Sequence, residues 1–160
     1  MAHDTFIKVN GIEGESQDHL HKGEIDVIRW EWSVSQTANM HTGSGGGAGK
    51  STVKDLFFDH HIDKSSPNLL QCCLNGKHIS EVILTTRKAG GSPLDYLVIT
   101  LQEVLITSVE SFGYDTMRSP RETVGLSFSR FRIDYVLQNA QGNTAGTLST
   151  GFDIKANVIM

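Results

Sequence analysis

The sequence predicts a mainly β chain: a barrel of two antiparallel sheets with one short α-helix on its flank. Three observations carry this. Apolar residues alternate over long segments, at Glu24 to Gln36, Leu94 to Val109, Val124 to Leu137 and Leu148 to Val158. Period-two alternation is the pattern of strands with a buried face. Two of these segments switch phase midway, which marks bulges that bend a sheet toward closure. Only Asp63 to Gly76 reads as helix. At 160 residues the chain is one domain, 1–160. That length buries about two-thirds of its unfolded surface without covalent staples.

Thr5 to Asn10 reads as the first strand, and Gly11 and Gly14 mark the turn region after it. In Glu24 to Gln36, Ile25 and Val27 hold one phase while Ile28, Trp30, Trp32 and Val34 hold the other, so a bulge is expected near Val27-Ile28. Glu31, Ser33 and Ser35 lie opposite the tryptophans and face water. Thr37 to Ser51 reads as a flexible, glycine-rich loop bridging two strands.

The helix has both its punctuation marks. Ser66 suits the N-cap, Pro67 supplies a preset φ at the first helical position, and Gly76 can close the other end in the left-handed conformation. Leu69, Leu70, Cys72, Cys73 and Leu74 cover more than half its circumference. So brief a helix does not persist alone. It is expected to plug a sheet supplied by its flanking strands, Leu56 to Ile62 and His78 to Arg87.

Leu94 to Val109 is apolar in both phases: Leu97, Ile99, Leu101 and Leu105 in one, Tyr96, Val98, Val104 and Ile106 in the other. The helix, a second sheet or another subunit must cover its second face. Val124 to Leu137 flips, with Leu126 and Phe128 even and Phe131, Ile133, Tyr135 and Leu137 odd. Leu148 to Val158 alternates almost to the terminus through Phe152, Ile154, Ala156 and Val158, as a paired strand would.

Several function classes are excluded by what the chain lacks. A formal charge of −4 argues against a phosphate-tracking protein. Arg130 and Arg132 share one strand face, which reads as solvated sheet. The adjacent Cys72 and Cys73 diverge by about 100° on a helix and form no disulfide framework. They read as two small apolar core residues of a chain matured in a reducing compartment. No basic and apolar leader precedes the first strand, and no apolar run reaches the ~20 residues of a membrane helix.

The run Gly43-Ser44-Gly45-Gly46-Gly47-Ala48-Gly49-Lys50-Ser51 resembles a phosphate loop, but the position five before Gly49 is Ser44, not glycine. Ser51-Thr52-Val53 also leads into a strand where a helix would be needed. His60-His61 and His19/His21 lack the partners that complete a tetrahedral metal site, and one of His60 and His61 must face inward. Ser51 and Ser66 have neither a nucleophile elbow nor a base. Glu13/Glu15 and Asp115/Glu122 are carboxylates in or beside turns. No catalytic residue, cofactor site or metal site is expected; the chain does not read as an enzyme.

The opening Asp4-Thr5-Phe6-Ile7-Lys8-Val9, with Gly14-Glu15-Ser16 after it, resembles the haemolysin-coregulated protein family of bacterial type VI secretion. The resemblance continues in order through Glu24-Ile25-Asp26-Val27, Trp30-x-Trp32-x-x-Ser35-Gln36 and the glycine loop ending Gly49-Lys50. Ile62-Asp63-Lys64-Ser65-Ser66-Pro67-Asn68-Leu69, Gly76-Lys77-His78 and Arg87-Lys88-Ala89-Gly90-Gly91 follow. Tyr96-Leu97-Val98-Ile99-Thr100-Leu101 and Val104-Leu105-Ile106-Thr107-Ser108-Val109 extend it. Only Ser111 to Glu122 and Gln138 to Gly146 are less recognisable.

The resemblance implies six copies closing into a ring, and rings stacking into a hollow tube. Its implied partners are further copies of the chain, contractile sheath proteins, a spike or tip protein, and effector proteins in the lumen. Neither nucleic acid nor membrane insertion is implied. The protein would sit in the bacterial cytoplasm until contraction expels it, without a cleaved signal peptide, to the extracellular space or a target cell. On this basis Glu31, Ser33 and Ser35 are candidate lumen residues. Met40, His41, Thr42, Gly43, Ser44, Gly45, Gly46, Gly47, Ala48, Gly49 and Lys50 form the candidate inter-subunit or ring-stacking loop. The alternative from another class is a ligand- or carbohydrate-binding β-sandwich. It should carry clustered aromatics and carboxylates in exposed loops, whereas the loops here are glycine and serine.

Overall fold

Eleven strands and one helix form among the residues that this computed structural model describes, 3–38, 48–88 and 93–160. In chain order they are β1 (His3–Val9), β2 (Ile25–Asp26), β3 (Arg29–Glu31), β4 (Val34–Ala38), β5 (Ala48–Val53) and β6 (Leu56–His61). The helix α1 (Ser66–Asn75) comes next. It is followed by β7 (Ile79–Lys88), β8 (Leu94–Phe112), β9 (Arg121–Gln138), β10 (Thr144–Asp153) and β11 (Val158–Ile159). Every strand pairing is antiparallel. Nine strands join one sheet, and β4 with β5 forms a second, two-stranded one.

The larger sheet closes on itself through one short stretch of chain. β1 pairs with β7, β7 with β8, β8 with β9, and β9 with β6. Residues 25–31 then bridge the remaining gap, with β2 on β1 and β3 on β6. The exchange of partners falls at the expected phase flip. Val27 donates its N–H to Thr5 at 2.9 Å, and the next residue, Ile28, donates to Asp59 at 2.8 Å. Glu24 to Gln36 is therefore three short strands and not one bulged strand. The break at Trp32-Ser33 releases the β4–β5 hairpin from the barrel. Ile28 and Val34, expected on the core face, are exposed because the chain turns away at both places.

The core is formed by Ile7, Val9, Ile25, Leu56, Phe58, Val82, Leu84, Ile99, Leu101, Val104, Val124 and Leu126. β8 contributes from both of its phases for a local reason. Glu103 adopts a left-handed conformation (φ 53°), so the inward set changes from Ile99 and Leu101 to Val104 and Ile106. Much of what reads as two apolar faces is one face that switches sides. β9 flips too, with Phe128 and Phe131 both buried on either side of Ser129. A second irregularity, between Ile106 and Ser108, lies opposite Gly125. A Cβ there would meet Ser108 Oγ at 2.5 Å and the Phe57 ring at 2.8 Å, so only glycine fits.

The helix departs from expectation at its start and on its outer side. Ser65, not Ser66, occupies the N-cap, and its side chain does not cap the helix. It donates instead to Asp63, while Ser66 Oγ accepts from the Asp63 N–H at 3.1 Å. Gly76 closes the other end as expected, at φ 64°. Leu69 and Cys72 are buried, but Leu70 and Leu74 are exposed, so the apolar contact is a narrow stripe. Its main partner is β8, not the flanking strands β6 and β7.

At the C-terminus the long terminal strand ends early. β10 stops at Asp153, whose carboxylate accepts the Ala156 N–H at 2.9 Å, and Asn157 turns at φ 55°. Only Phe152 and Asp153 then pair with β11.

Candidate assembly surfaces

The candidate lumen residues lie on and beside β3 and β4. Glu31, Ser33 and Ser35 are all exposed, as expected. Glu31 and Ser33 line one shallow groove with Trp32, Lys54, Asp55 and Phe57. Ser35 lies apart on β4, opposite Thr52 of β5. Trp32 holds this region to the barrel. Its indole N–H donates to Lys54 O at 3.0 Å, and its ring packs edge-on against Phe131 at 4.8 Å. Glu31 does not present a bare charge. Arg29 reaches it at 3.0 Å and also approaches Asp59 at 3.5 Å, and these two carboxylates raise the Arg29 pKa further.

The glycine-rich loop is shorter than expected. Within Thr37 to Ser51, Ala38 pairs with Ala48, and Gln36 with Ser51. Ala48, Gly49 and Lys50 therefore belong to β5. Met40, His41, Thr42, Gly43, Ser44, Gly45, Gly46 and Gly47 lie outside the described residues. Among the described residues, β4 and β5 pair only with each other.

One surface has no counterpart among the expected sites. Register places Leu97 opposite Tyr135, and Tyr135 opposite Leu148. These residues share the face that, further along, carries Leu101, Phe131 and Phe152 into the core. Past the end of the barrel nothing among the described residues covers that face. Tyr135 is 43% exposed, Leu137 39% and Leu148 64%. A register shift between Thr86 and Arg87 brings Tyr96 into the same strip, and its ring meets Tyr135 edge-on at 6.1 Å. Beside the strip, Thr144–Thr150 of β10 pair only with β9, which leaves an open strand edge among the described residues. The signal was present in Tyr135, Leu137 and Leu148, each in phase with core positions but near a strand end.

The opposite face of β8–β10 is polar and internally paired. Arg130 contacts Gln102 at 3.1 Å and Glu103 at 3.5 Å, and Arg132 contacts Asp134 at 2.9 Å. The Ser129 hydroxyl and the cations Arg130 and Lys155 hold Glu103 below its ordinary pKa. Ser149 and Arg132 do the same for Asp134 against the effect of burial. Such a face is solvated sheet, as the arginine spacing suggested. Two residues dismissed at the sequence level carry structural roles. Glu122, beside a turn as expected, is buried and binds His60; His21 is buried in a loop.

The family profile described as "Type VI secretion system effector, Hcp" matches residues 6–135. The chain belongs to the Hcp family of type VI secretion. It is 47% identical to the protein hcp1 of Pseudomonas aeruginosa over 160 residues, covering 99% of each chain. Among solved structures it resembles Hcp1 from Salmonella typhimurium, at 45% identity, with all of both chains covered and a TM-score of 0.83. A type six secretion system protein at 24% identity superposes with a TM-score of 0.95 over 99% of this chain and 100% of that one, a likeness of fold alone. The alignment with hcp1 extends past the profile to cover β10, with its open edge.

Proposed function

We propose that this Hcp-family chain is a structural subunit whose copies close into six-membered rings, and that the rings stack into a hollow secreted tube carrying effectors. The observation that carries the proposal is the apolar strip Tyr135, Leu137 and Leu148 beside the open Thr144–Thr150 edge. An uncovered apolar face marks an interaction site, and an unpaired strand edge is a template for another chain. A contact joining two different patches of identical subunits closes a ring when its rotation closes. Spike, sheath and lumen effectors are the further partners, and the work is mechanical, with no reaction catalysed. Release from the bacterial cytoplasm then follows contraction.

The test is native mass spectrometry with negative-stain microscopy of the purified protein. A mass six times that of one chain, with rings of that number, is the expected result. A monomer at high concentration overturns the proposal. Shortening residues 39–47 to a tight turn should leave rings but no stacked tubes, if that tip contacts the next ring; tubes of ordinary length would reject that role.

Lysine at positions 31, 33 and 35 tests the lumen assignment. Arg29 already neutralises Glu31, so Glu31→Lys leaves the pair doubly cationic and turns the groove positive. Rings should persist, while retention of a co-expressed effector changes severalfold as the lining turns positive. Unaltered retention for every effector tried would remove these residues from the lumen.

A further inference from the structure

We propose that residues 14–24 form a strap whose hold on the sheet is set by protonation of His21, making it a pH-responsive clasp. The strap is a small hairpin of its own. Gly14 donates to Gly23 at 2.7 Å, Ser16 to Glu24 at 2.9 Å and Gly23 to Ser16 at 3.0 Å. It lies against the side of β1 that faces away from the core. Phe6 points that way, yet it is buried because the His21 ring stacks on it at 4.4 Å and 10°. Close approach requires Gly14, where a Cβ would fall 2.5 Å from the Glu24 carbonyl oxygen.

Besides Glu15, which accepts the Lys64 N–H at 2.8 Å, two fastenings hold the strap to the sheet. Asp18 grips Arg87 of β7, which also reaches Asp4 at 3.2 Å and lies 5.1 Å over the Phe6 ring. His21 makes the second. Its Nδ1 is 2.9 Å from Glu24 and its Nε2 is 3.3 Å from Asp95 of β8. Only the doubly protonated ring donates to both carboxylates; the neutral ring donates to one and turns a lone pair toward the other. The cluster is rich in negative charge. Asp4 of β1, Asp26 of β2, Asp95 of β8, Asp18 and Glu24 of the strap, and Asp63 before α1 surround it, with the guanidinium of Arg87 as the cation paired among them. Burial and the charges of Asp63, Asp18 and Asp4 push the Asp26 carboxyl up. A proton on His21 relieves this imbalance.

Burial alone would lower the His21 pKa, but hydrogen bonds and charge from Glu24 and Asp95 outweigh it and raise it above the usual 6.5. The added hold is therefore complete below that ordinary value and is lost as pH climbs through the raised one. Hydrogen bonding to Arg87 holds Asp18 well below the carboxylate range, so that fastening persists throughout. The strap loosens from the His21 end while staying anchored at Asp18.

Hydrogen-exchange mass spectrometry from about pH 5.5 to 8.5, corrected for intrinsic exchange, tests this. Peptides covering 14–24 should open about three- to tenfold more at the alkaline end, the range of one charge-assisted hydrogen bond. Peptides from β8 and β9 should not change. His21→Gln should flatten the dependence at a low level of protection. Asp95→Asn, on a partly exposed residue, should shrink it and serves alone if the glutamine variant loses β8–β9 protection. A flat wild-type profile, or an undiminished dependence in either folded variant, overturns the proposal. The readout needs no ring, so failure of assembly leaves it interpretable.

Discussion

Glu122→Ala should cost about 3–5 kcal/mol of folding stability, because it strips a fully buried histidine of its partner. His60 on β6 and Glu122 on β9 face each other in register, with Nε2 2.7 Å from Oε1. His60 is 0% exposed, and its Nδ1 has no hydrogen-bond partner; the nearest carboxylate oxygen, on Asp63, is 3.9 Å away. The alanine variant leaves both ring nitrogens unsatisfied beside Phe58, along with a cavity. Glu122→Gln keeps a hydrogen bond and should cost less. Replacing both partners by leucine should recover most of the loss, since an apolar pair carries no desolvation cost. Urea unfolding followed by circular dichroism measures all three. A loss under about 1 kcal/mol for Glu122→Ala would show that the pair contributes little.

Leu148→Asp should leave the protomer folded and abolish assembly. Leu148 is 64% exposed on β10, so its substitution should change unfolding stability by no more than about 0.5 kcal/mol. In a closed ring the same side chain would sit against a neighbour, where a carboxylate replaces apolar contact with a buried charge. Losing about 2–3 kcal/mol per interface weakens each contact by roughly 30- to 150-fold, and a ring multiplies that loss around its circumference. Native mass spectrometry should find single chains where the parent forms rings. Leu148→Met should assemble normally. Rings from the aspartate variant would move the interface elsewhere.

Much of the barrel was legible because strand alternation reports which face is buried. The flips at Val27-Ile28 and between Phe128 and Phe131 were visible as changes of phase. The flip at Glu103 was not, because a left-handed glutamate looks like any other residue, so β8 read as apolar on both sides. Strand ends were harder. Leu137 and Leu148 keep the rhythm of core positions beyond the point where the fold supplies anything to cover them, as Leu70 and Leu74 do on the outer side of the helix. Of the candidate site, exposure of Glu31, Ser33 and Ser35 followed from their phase opposite the tryptophans. The Arg29 contact that masks Glu31, and the pairing that draws Ala48, Gly49 and Lys50 into β5, depend on neighbours across strands. The bond from His21 to Asp95 was hidden because the two lie 74 positions apart.

The pairing of β1 with β7 has a consequence for biosynthesis. Phe6 and Thr85 are partners, roughly 80 positions apart along the chain. At about 5–20 residues per second, a ribosome exposes the first strand some 4–16 s before its partner exists. During that interval Phe6, Ile7 and Val9 have no sheet to join, and the nascent protein is a substrate for chaperones or for mispairing with its own kind. Overproduction at low temperature, which slows elongation further, should lengthen that vulnerable interval.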